Sequence, residues 1–185
     1  VTGEALTRNL RTTIGETLAR QPGVSSTSFG PNASRPVLRG FQGERVRILT
    51  DGIGSFDVSN TSVDHAVAIN PLTAARIEVL RGPAALIYGS SAIGGVVNVI
   101  DARIPRRAPD EAIHVEGLAT YGSAADERTM MGEVEAPITP NFVVHLDGSW
   151  SKSNDLRTGG YILARPLRAI AAASDDEEVQ ADARL

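Results

Sequence analysis

The chain has 185 residues, of which 42% are hydrophobic and 22% charged, and its formal net charge is −4. This length and composition predict one domain, or one domain plus part of another, and they exclude a disordered tail and a collagen-like repeat. The sequence contains no cysteine, which excludes disulfide bonds and thiolate zinc sites but leaves the cellular compartment open.

Neither a membrane-spanning helix nor a nucleic-acid surface is predicted. The longest apolar stretches are interrupted by polar residues and fall short of the about 18 residues that a spanning helix needs. Basic residues are scattered along the chain rather than clustered, which argues against a nucleic-acid partner. No signal peptide is recognisable at Val1, because charged residues interrupt any apolar core there.

The first hundred residues predict a small α+β fold. Apolar residues recur at helical spacing from Leu6 to Leu18, and Pro22-Gly23 ends that helix. Helices are also predicted from Asn70 to about Ala75 and from Gly82 to Tyr88. The polar residues 55–70 lack a clean period and predict an exposed loop. Short strands are predicted over 36–41, 45–50, 77–80 and 96–100.

After Pro105 the sequence changes to period-two alternation, which predicts long strands over 111–121, 128–138 and 142–150. Each has one apolar and one polar face, a pattern typical both of outer-membrane barrel strands and of a soluble antiparallel sheet. Residues 157–178 predict a long loop, and alternation resumes at Val179. About four strands result, half or less of the roughly eight that close the smallest barrel.

The sequence contains no recognisable catalytic motif. The glycine-rich segment Gly89–Gly94 matches neither a phosphate-binding loop nor a dinucleotide fingerprint, and its serines do not form a nucleophile elbow. The polar strand faces carry His114 and His145, for which a lumen-facing or surface position is favoured over a metal site. We therefore predict that the chain is not an enzyme and has no catalytic cofactor.

Several motifs, in order along the chain, resemble the plug domain of TonB-dependent outer-membrane receptors. They are Pro36 to Phe41, Arg47 to Gly52, Arg76 to Pro83, Leu86 to Gly89 and Ile93 to Ile100, together with the opening Glu16-Thr17-Leu18 and Pro22-Gly23-Val24. The resemblance implies an α+β plug over residues 1–107, held inside the lumen of a barrel of about 22 strands. Residues 108–185 would be the first antiparallel strands of that transmembrane β-barrel. The chain is thus expected to be an N-terminal fragment of a receptor in the outer membrane of a Gram-negative bacterium.

The resemblance also implies roles for single residues and partners. Arg39 and Arg81 match the two family arginines that meet glutamates of the barrel wall, where a buried guanidinium needs carboxylate partners. The alternative is that both are merely exposed strand residues. The partners implied are TonB, which pulls on a short segment ahead of the plug, and the lipid around the barrel. The turn residues of the family motifs are Gly40, Asp51, Gly52, Gly82, Pro83, Gly89, Gly94 and Gly95.

A narrower resemblance concerns Ser62-Val63-Asp64-His65-Ala66, which is similar to the apical plug loop of zinc-importing receptors of the ZnuD kind. There the adjacent Asp and His help to bind the metal, and imidazole and carboxylate are good zinc ligands. The resemblance implies zinc as the transported ligand, with Asp64 and His65 as plug-side ligands. Two alternatives stay open: a receptor for a ferric siderophore or another metal complex, and a stand-alone binding or adhesion module whose open sheet pairs with a partner.

Overall fold

The computed structural model describes residues 1–55, 58–62, 64–157 and 159–184. Val63 of the apical motif, part of the predicted loop over 55–70, and Leu185 lie outside the described residues. In chain order the elements are α1 (Gly3–Asn9), α2 (Ile14–Leu18), β1 (Val24–Ser26), β2 (Pro36–Leu38), β3 (Val46–Thr50), β4 (Ile53–Gly54), β5 (Ala74–Leu80), β6 (Gly95–Asp101), β7 (His114–Gly122), β8 (Glu127–Thr139), β9 (Phe142–Lys152), α3 (Arg165–Ala172) and α4 (Glu177–Asp182).

Residues 1–101, which we call the plug unit, are built on a four-stranded mixed sheet with the order β4-β3-β6-β5. β3 and β6 are parallel, with Val46 opposite Gly95 and Thr50 opposite Val99. β5 runs antiparallel to β6, and β1 and β2 form a separate two-stranded antiparallel sheet. Short helices and strands alternate along this unit, as the sequence predicts for an α+β fold.

The core of the plug unit lies between its first helices and the mixed sheet. Leu18 of α2, Leu38 of β2 and Ile77 of β5 are fully buried and belong to one apolar cluster. Leu118 of β7 and Met131 of β8 pack against the same cluster. The later strands therefore lie against the plug unit through part of its apolar core.

Two tight turns of the plug unit share one construction. Arg39-Gly40 closes a hairpin in which Leu38 and Phe41 exchange two backbone hydrogen bonds of 2.9 Å. Asp51-Gly52 likewise joins β3 to β4. All four turn residues have φ between 50° and 85°, the pattern of a type I′ turn, which favours glycine at its second position. The turns leave the Arg39 and Asp51 side chains exposed.

The remaining predicted turn residues lie around the entry to β6. A 3₁₀ helix spans Pro83–Tyr88, with Gly82 and Gly89 at its ends. A Cβ at Gly94 would overlap the Phe41 side chain, and one at Gly95 would lie only 2.6 Å from the Leu80 carbonyl oxygen. Close backbone approach therefore requires glycine at these two positions.

A buried amide connects three segments of the mixed sheet. Asn98 of β6 is only 5% exposed. Its Oδ1 accepts a hydrogen bond of 2.9 Å from the Gly52 N–H, and its Nδ2 donates one of 3.2 Å to Glu78 Oε2. A shift in strand register would leave these polar groups unpaired, which is costly in a buried site. Asn98 therefore fixes the β3–β4 turn and β5 relative to β6.

The prediction of a single opening helix from Leu6 to Leu18 is wrong, because the helix is interrupted between α1 and α2. Thr13 is extended, with φ −120° and ψ 149°, and its hydroxyl hydrogen-bonds with the Ser34 hydroxyl at 2.6 Å. The Arg11 N–H donates to the Thr17 hydroxyl at 3.0 Å. Hydroxyl groups thus supply the backbone with an alternative to helical hydrogen bonds.

The helix predicted from Asn70 to Ala75 is also too long. Only Pro71–Thr73 forms a 3₁₀ turn, and the Asn70 side chain caps it by accepting a hydrogen bond of 3.0 Å from the Leu72 N–H. β5 consequently begins at Ala74 rather than at Ile77. The antiparallel pairing with β6 overrides the local helix signal, since it extends to Ala74 opposite Asp101.

The second sheet is antiparallel with the order β7-β8-β9, so the three long strands predicted before residue 157 are present. Its apolar side is the more exposed one: on β9, Leu146 is 71% exposed, whereas the His145 side chain is 8% exposed. The polar side contacts the plug unit, where Asn70 Nδ2 donates to the Ser149 hydroxyl at 2.9 Å. An extended exposed apolar face indicates a surface that contacts something other than water.

The predicted boundary between residues 107 and 108 lies in the connection between β6 and β7, which end and begin at Asp101 and His114. The division into residues 1–107 and 108–185 therefore stays a prediction.

The predicted strand from Val179 is wrong, because Glu177–Asp182 forms α4, and α3 interrupts the predicted loop over 157–178. The Asp176 carboxylate accepts hydrogen bonds from the backbone N–H groups of Glu178 and Val179, at 2.9 and 3.5 Å. Such a cap, followed by acidic residues in the first turn, favours a helix over a strand. Within the described ranges, no helix is long and apolar enough to cross a membrane.

We expect Asn98→Ala to destabilise the plug unit by about 1–3 kcal/mol, because the Gly52 N–H loses its buried acceptor. The measurement is amide hydrogen exchange by mass spectrometry, in which peptides covering β3 and β6 should lose protection. Asn141→Ala, at the exposed turn between β8 and β9, is the matched control. Equal protection in the two variants would contradict this role for Asn98.

Candidate functional site

The predicted metal-binding pair lies in the exposed loop between β4 and β5. His65 Nδ1 is 2.8 Å from Asp64 Oδ1, and the Ser62 hydroxyl donates to the same oxygen. The side chains of His65 and Asp64 are 53% and 46% exposed. The hydrogen bonds from Ser62 and then His65 lower the pKa of Asp64, so its carboxylate keeps its charge in mildly acidic solution.

This pair offers a cation one imidazole nitrogen and one carboxylate. In this structure Asp64 occupies Nδ1 of His65, which leaves Nε2, on the far side of the ring, as the free metal-binding nitrogen. Both side chains would bind the same ion only after the hydrogen bond between them breaks. Two side chains are fewer than the three or about four protein ligands of zinc sites. The Asp64–His65 pair can therefore form part of a metal site, and the other ligands must come from elsewhere.

A buried arginine anchors the start of the same loop, and no sequence pattern indicates its burial. Arg35 is only 4% exposed. Its Nη1 donates to the Ser59 hydroxyl at 2.6 Å, and its Nη2 donates to Asn60 Oδ1 at 2.8 Å. Arginine is rarely buried without partners, and these partners come from a segment more than twenty residues further along the chain. Arg35 thus holds the loop that leads to Asp64 against the segment that precedes β2.

Arg39 and Arg81, the predicted plug–barrel contacts, converge on the turn at Pro22-Gly23. Arg81 Nη1 donates to the Pro22 carbonyl at 2.6 Å, and the Arg39 backbone N–H donates to the Gly23 carbonyl at 3.0 Å. Both residues are exposed, and neither forms an ion pair within the described part of the chain. The fold therefore brings these two exposed arginines, which we call the arginine pair, to the same turn.

The polar side of β7, β8 and β9 concentrates ionisable groups against the plug unit. His145 lies between two carboxylates, with Nδ1 3.0 Å from Glu135 and Nε2 3.3 Å from Asp147. A second group of ionisable side chains lies on the paired strands β7 and β8. The possible metal-ligand atoms of its three side chains all lie within 4.8 Å of one another. Its members are His114, Glu116 and Glu133. Sequence alternation predicted the polar side of the strands for both histidines but not these clusters, because it does not give the pairing of β7 with β8.

An ion pair at the end of β6 faces the same polar side. Arg103 Nε lies 3.0 and 2.8 Å from the two carboxylate oxygens of Asp101. Burial alone would raise the pKa of Asp101, but hydrogen bonds and charge from Arg103 lower it, and the same contact raises the pKa of Arg103. Both residues line a cavity of about 390 Å³ together with Asp147 and Ser149 of β9. Polar groups of the plug unit and the second sheet thus share a common space.

Comparison with known proteins decides the family. The family model described as TonB-dependent Receptor Plug Domain matches residues 1–96. The chain belongs to this family. A curated hemin receptor from Yersinia pestis is 36% identical over 128 residues, a match that covers 68% of this chain and 18% of the receptor. The chain therefore spans about a fifth of the length of that relative.

Solved structures extend the match beyond the plug unit. The siderophore receptor PirA from Acinetobacter baumannii is 27% identical, with a TM-score of 0.59 over 78% of this chain and 22% of that one. The copper transporter OprC gives a TM-score of 0.63 over the same shares at 23% identity, a level that shows the fold alone. These matches confirm the predicted fold class, an α+β plug followed by the first antiparallel strands of a barrel, here an open sheet.

The names of the matched proteins refer to hemin, a siderophore and copper. They are receptors and a transporter rather than enzymes. The narrower likeness to zinc-importing receptors stays a prediction, as do the roles of Asp64, His65 and the arginine pair.

Proposed function

We propose that this chain is the plug and first barrel strands of a TonB-dependent active transporter in the outer membrane of a Gram-negative bacterium, and that its substrate is zinc. The observation that carries the transporter proposal is the second sheet, whose apolar side is exposed and whose polar side faces the plug unit. The zinc proposal depends on the Asp64–His65 pair.

The dimensions of the second sheet support a position in a membrane. β7, β8 and β9 have 9, 13 and 11 residues, and about 9–11 residues suffice for a tilted strand to cross a bilayer. Aromatic residues lie near strand ends on the exposed side: Tyr121 is 66%, Trp150 51% and Phe142 57% exposed. Aromatic girdles at both interfaces are typical of transmembrane barrels. Lipid would thus cover the apolar side, and the plug unit would cover the polar side.

The start of the chain supports mechanical coupling to TonB. The Ile77 N–H donates to the Val1 carbonyl at 2.9 Å, and Thr2 forms an antiparallel bridge with Arg76. These residues extend the edge of the mixed sheet beside β5. A pull on a segment ahead of Val1 would therefore act directly on the sheet that forms the centre of the plug unit.

The arginine pair is suited to hold the plug unit to the barrel wall. The Arg81 guanidinium and the stem of the Arg39 side chain both approach Gly23, and both residues are exposed in this chain, so wall residues can reach them. Once covered, each guanidinium would need a carboxylate, since an unpaired buried charge is strongly unfavourable. We propose glutamates of the wall as these partners.

Zinc is supported by the chemistry of the apical loop. Hydrogen bonds from Ser62 and then His65 lower the pKa of Asp64, which favours the charged carboxylate that a metal ligand needs. Zinc accepts imidazole nitrogen and carboxylate oxygen together, and neighbouring divalent metals bind such ligands too. Residues of the barrel wall would supply the remaining ligands while the ion is bound to the plug.

A second candidate function is import of a ferric siderophore or another metal complex. The observation that favours it is the likeness to the hemin receptor at 36% identity and to the siderophore receptor PirA at 27% identity. Such a ligand would be held by aromatic and arginine side chains rather than by direct coordination. A stand-alone binding or adhesion module fits less well, because the matches extend from the plug unit into strands of much longer receptors.

We expect His65→Ala in the intact receptor to reduce TonB-dependent uptake of radiolabelled zinc at least about tenfold, the effect of losing one important ligand interaction. Uptake is measured in zinc-starved cells at equal receptor abundance. Thr61→Ala, in the same exposed loop, is the control and should transport normally. Normal zinc uptake by His65→Ala would show that His65 is an ordinary solvent-exposed loop residue. No zinc uptake by the unaltered receptor would favour import of a metal complex instead.

We expect Arg39→Ala and Arg81→Ala each to loosen the plug unit by about 3–5 kcal/mol, because a wall carboxylate would be left buried without its partner. Hydrogen exchange of the intact receptor should show the loss in peptides that cover the Pro22-Gly23 turn and the Leu38–Phe41 hairpin. Arg20→Ala, an exposed arginine near the same turn, is the control. Hydrogen exchange equal to that of the control would show that the arginine pair consists of ordinary surface residues.

A further inference from the structure

We infer that His114, Glu116 and Glu133 form a second divalent-cation site, which we call the wall site, on the polar side of β7 and β8. It is separate in sequence from the Asp64–His65 pair and uses residues of the second sheet alone. The inference rests on the proposed function only for the identity of the cation, zinc. The geometry of the site stands independently of it.

The ligand atoms of the wall site are already gathered. They lie within 4.8 Å of one another, whereas zinc ligands at about 2.0–2.2 Å from the metal lie about 3.4 Å apart in tetrahedral geometry. Small side-chain rotations close this difference. His114 and Glu116 alternate onto one side of β7, and Glu133 of β8 is directly opposite Glu116 in the register. Paired strands therefore hold all three ligands on a rigid support.

The charge at this position favours a cation. Glu116 and Glu133 are cross-strand partners, and like charges in directly opposite positions destabilise a sheet. Asp147 of β9 is paired with Glu133 on its other side. The neighbouring His145 is shared between Glu135 and Asp147. A divalent cation would convert the repulsion between the two glutamates into shared coordination.

Space and histidine orientation also suit a cation. Glu116 and Glu133 line a cavity of about 290 Å³ between α1 and the second sheet, and His114 lines a cavity of about 270 Å³ with Glu135. A hydrated ion can therefore approach the two glutamates from the side of α1 and the histidine from the connection between β6 and β7. Glu111 Oε2 lies 3.4 Å from His114 Nδ1, a carboxylate contact of the kind that orients metal-binding imidazoles.

The ligand set defines the class of cation. One imidazole nitrogen and two carboxylates, without sulfur, suit zinc and similar divalent transition metals better than monovalent or soft cations. Three protein ligands leave one position open to water, so the ion can exchange. The wall site would hold zinc beside the plug unit, at a position distinct from the apical pair.

The test measures zinc chloride binding to the intact, detergent-purified receptor by equilibrium dialysis. The double variant His114→Ala, Glu133→Gln should lose one equivalent of bound zinc, or bind it at least tenfold more weakly. Glu127→Gln, which removes a carboxylate from β8 outside the wall site, should retain it. His65→Ala should also retain the wall equivalent. Zinc binding by the double variant equal to that of Glu127→Gln would overturn the inference.

A second measurement needs no substitution and covers the case in which the double variant fails to fold. Diethyl pyrocarbonate modifies accessible histidines, and mass spectrometry reads each site in the unaltered receptor. Zinc should protect His114 from modification; no protection would overturn the inference. Protection of His114 in a receptor that imports no zinc would support the wall site while removing the proposed function. Zinc import without protection of His114 would support the proposed function while removing the wall site.

Discussion

The structure depends on the second sheet, formed by β7, β8 and β9, which turns its polar side rather than its apolar side toward the plug unit. Its polar side has a partner in the plug unit, through contacts such as that between Asn70 and Ser149, while the apolar side that includes Leu146 is exposed. A sheet in water has the opposite arrangement, because burial of apolar surface is the main favourable term in folding. Under the proposed function lipid covers the apolar side, and the ionisable groups of the strands then lie around the plug unit.

Within the plug unit, the buried contacts that stabilise the fold are separate from the exposed side chains that are proposed to bind the wall or the substrate. Asn98 fixes the strand register from inside, and type I′ turns project from the sheet ends. The turn that carries Arg39 and the Arg81 side chain both contact the Pro22-Gly23 turn, so two distant segments bring exposed arginines to one place. On the loop after β4, Arg35 secures the backbone and leaves Asp64 and His65 accessible. A rigid core thus positions groups that the proposal assigns to the barrel wall and to the substrate.

Much of this arrangement follows from local sequence. Asp51-Gly52 predicts its own tight turn, and alternating residues predict the three long strands and the polar side for His145. The break at Thr13 was not predictable, because it depends on a contact with Ser34 far along the chain. The α4 helix had a local signal in Asp176 and the acids that follow, but the alternation from Val179 outweighed it. Neither the burial of Arg35 nor the meeting of Glu116 with Glu133 can be read from sequence, since both depend on which distant segments pair.

The central claim is that lipid covers one side of the second sheet and the plug unit covers the other. The chain has no cysteine, so single cysteines can be introduced along β9 and spin-labelled in the intact receptor in lipid bilayers, with any cysteine elsewhere replaced. Collision with oxygen reports lipid exposure, and collision with a water-soluble nickel complex reports aqueous exposure. The account predicts period-two alternation, with oxygen contact at Val144 and Leu146 and little at His145 and Asp147. Equal nickel accessibility on both sides of the strand would contradict it.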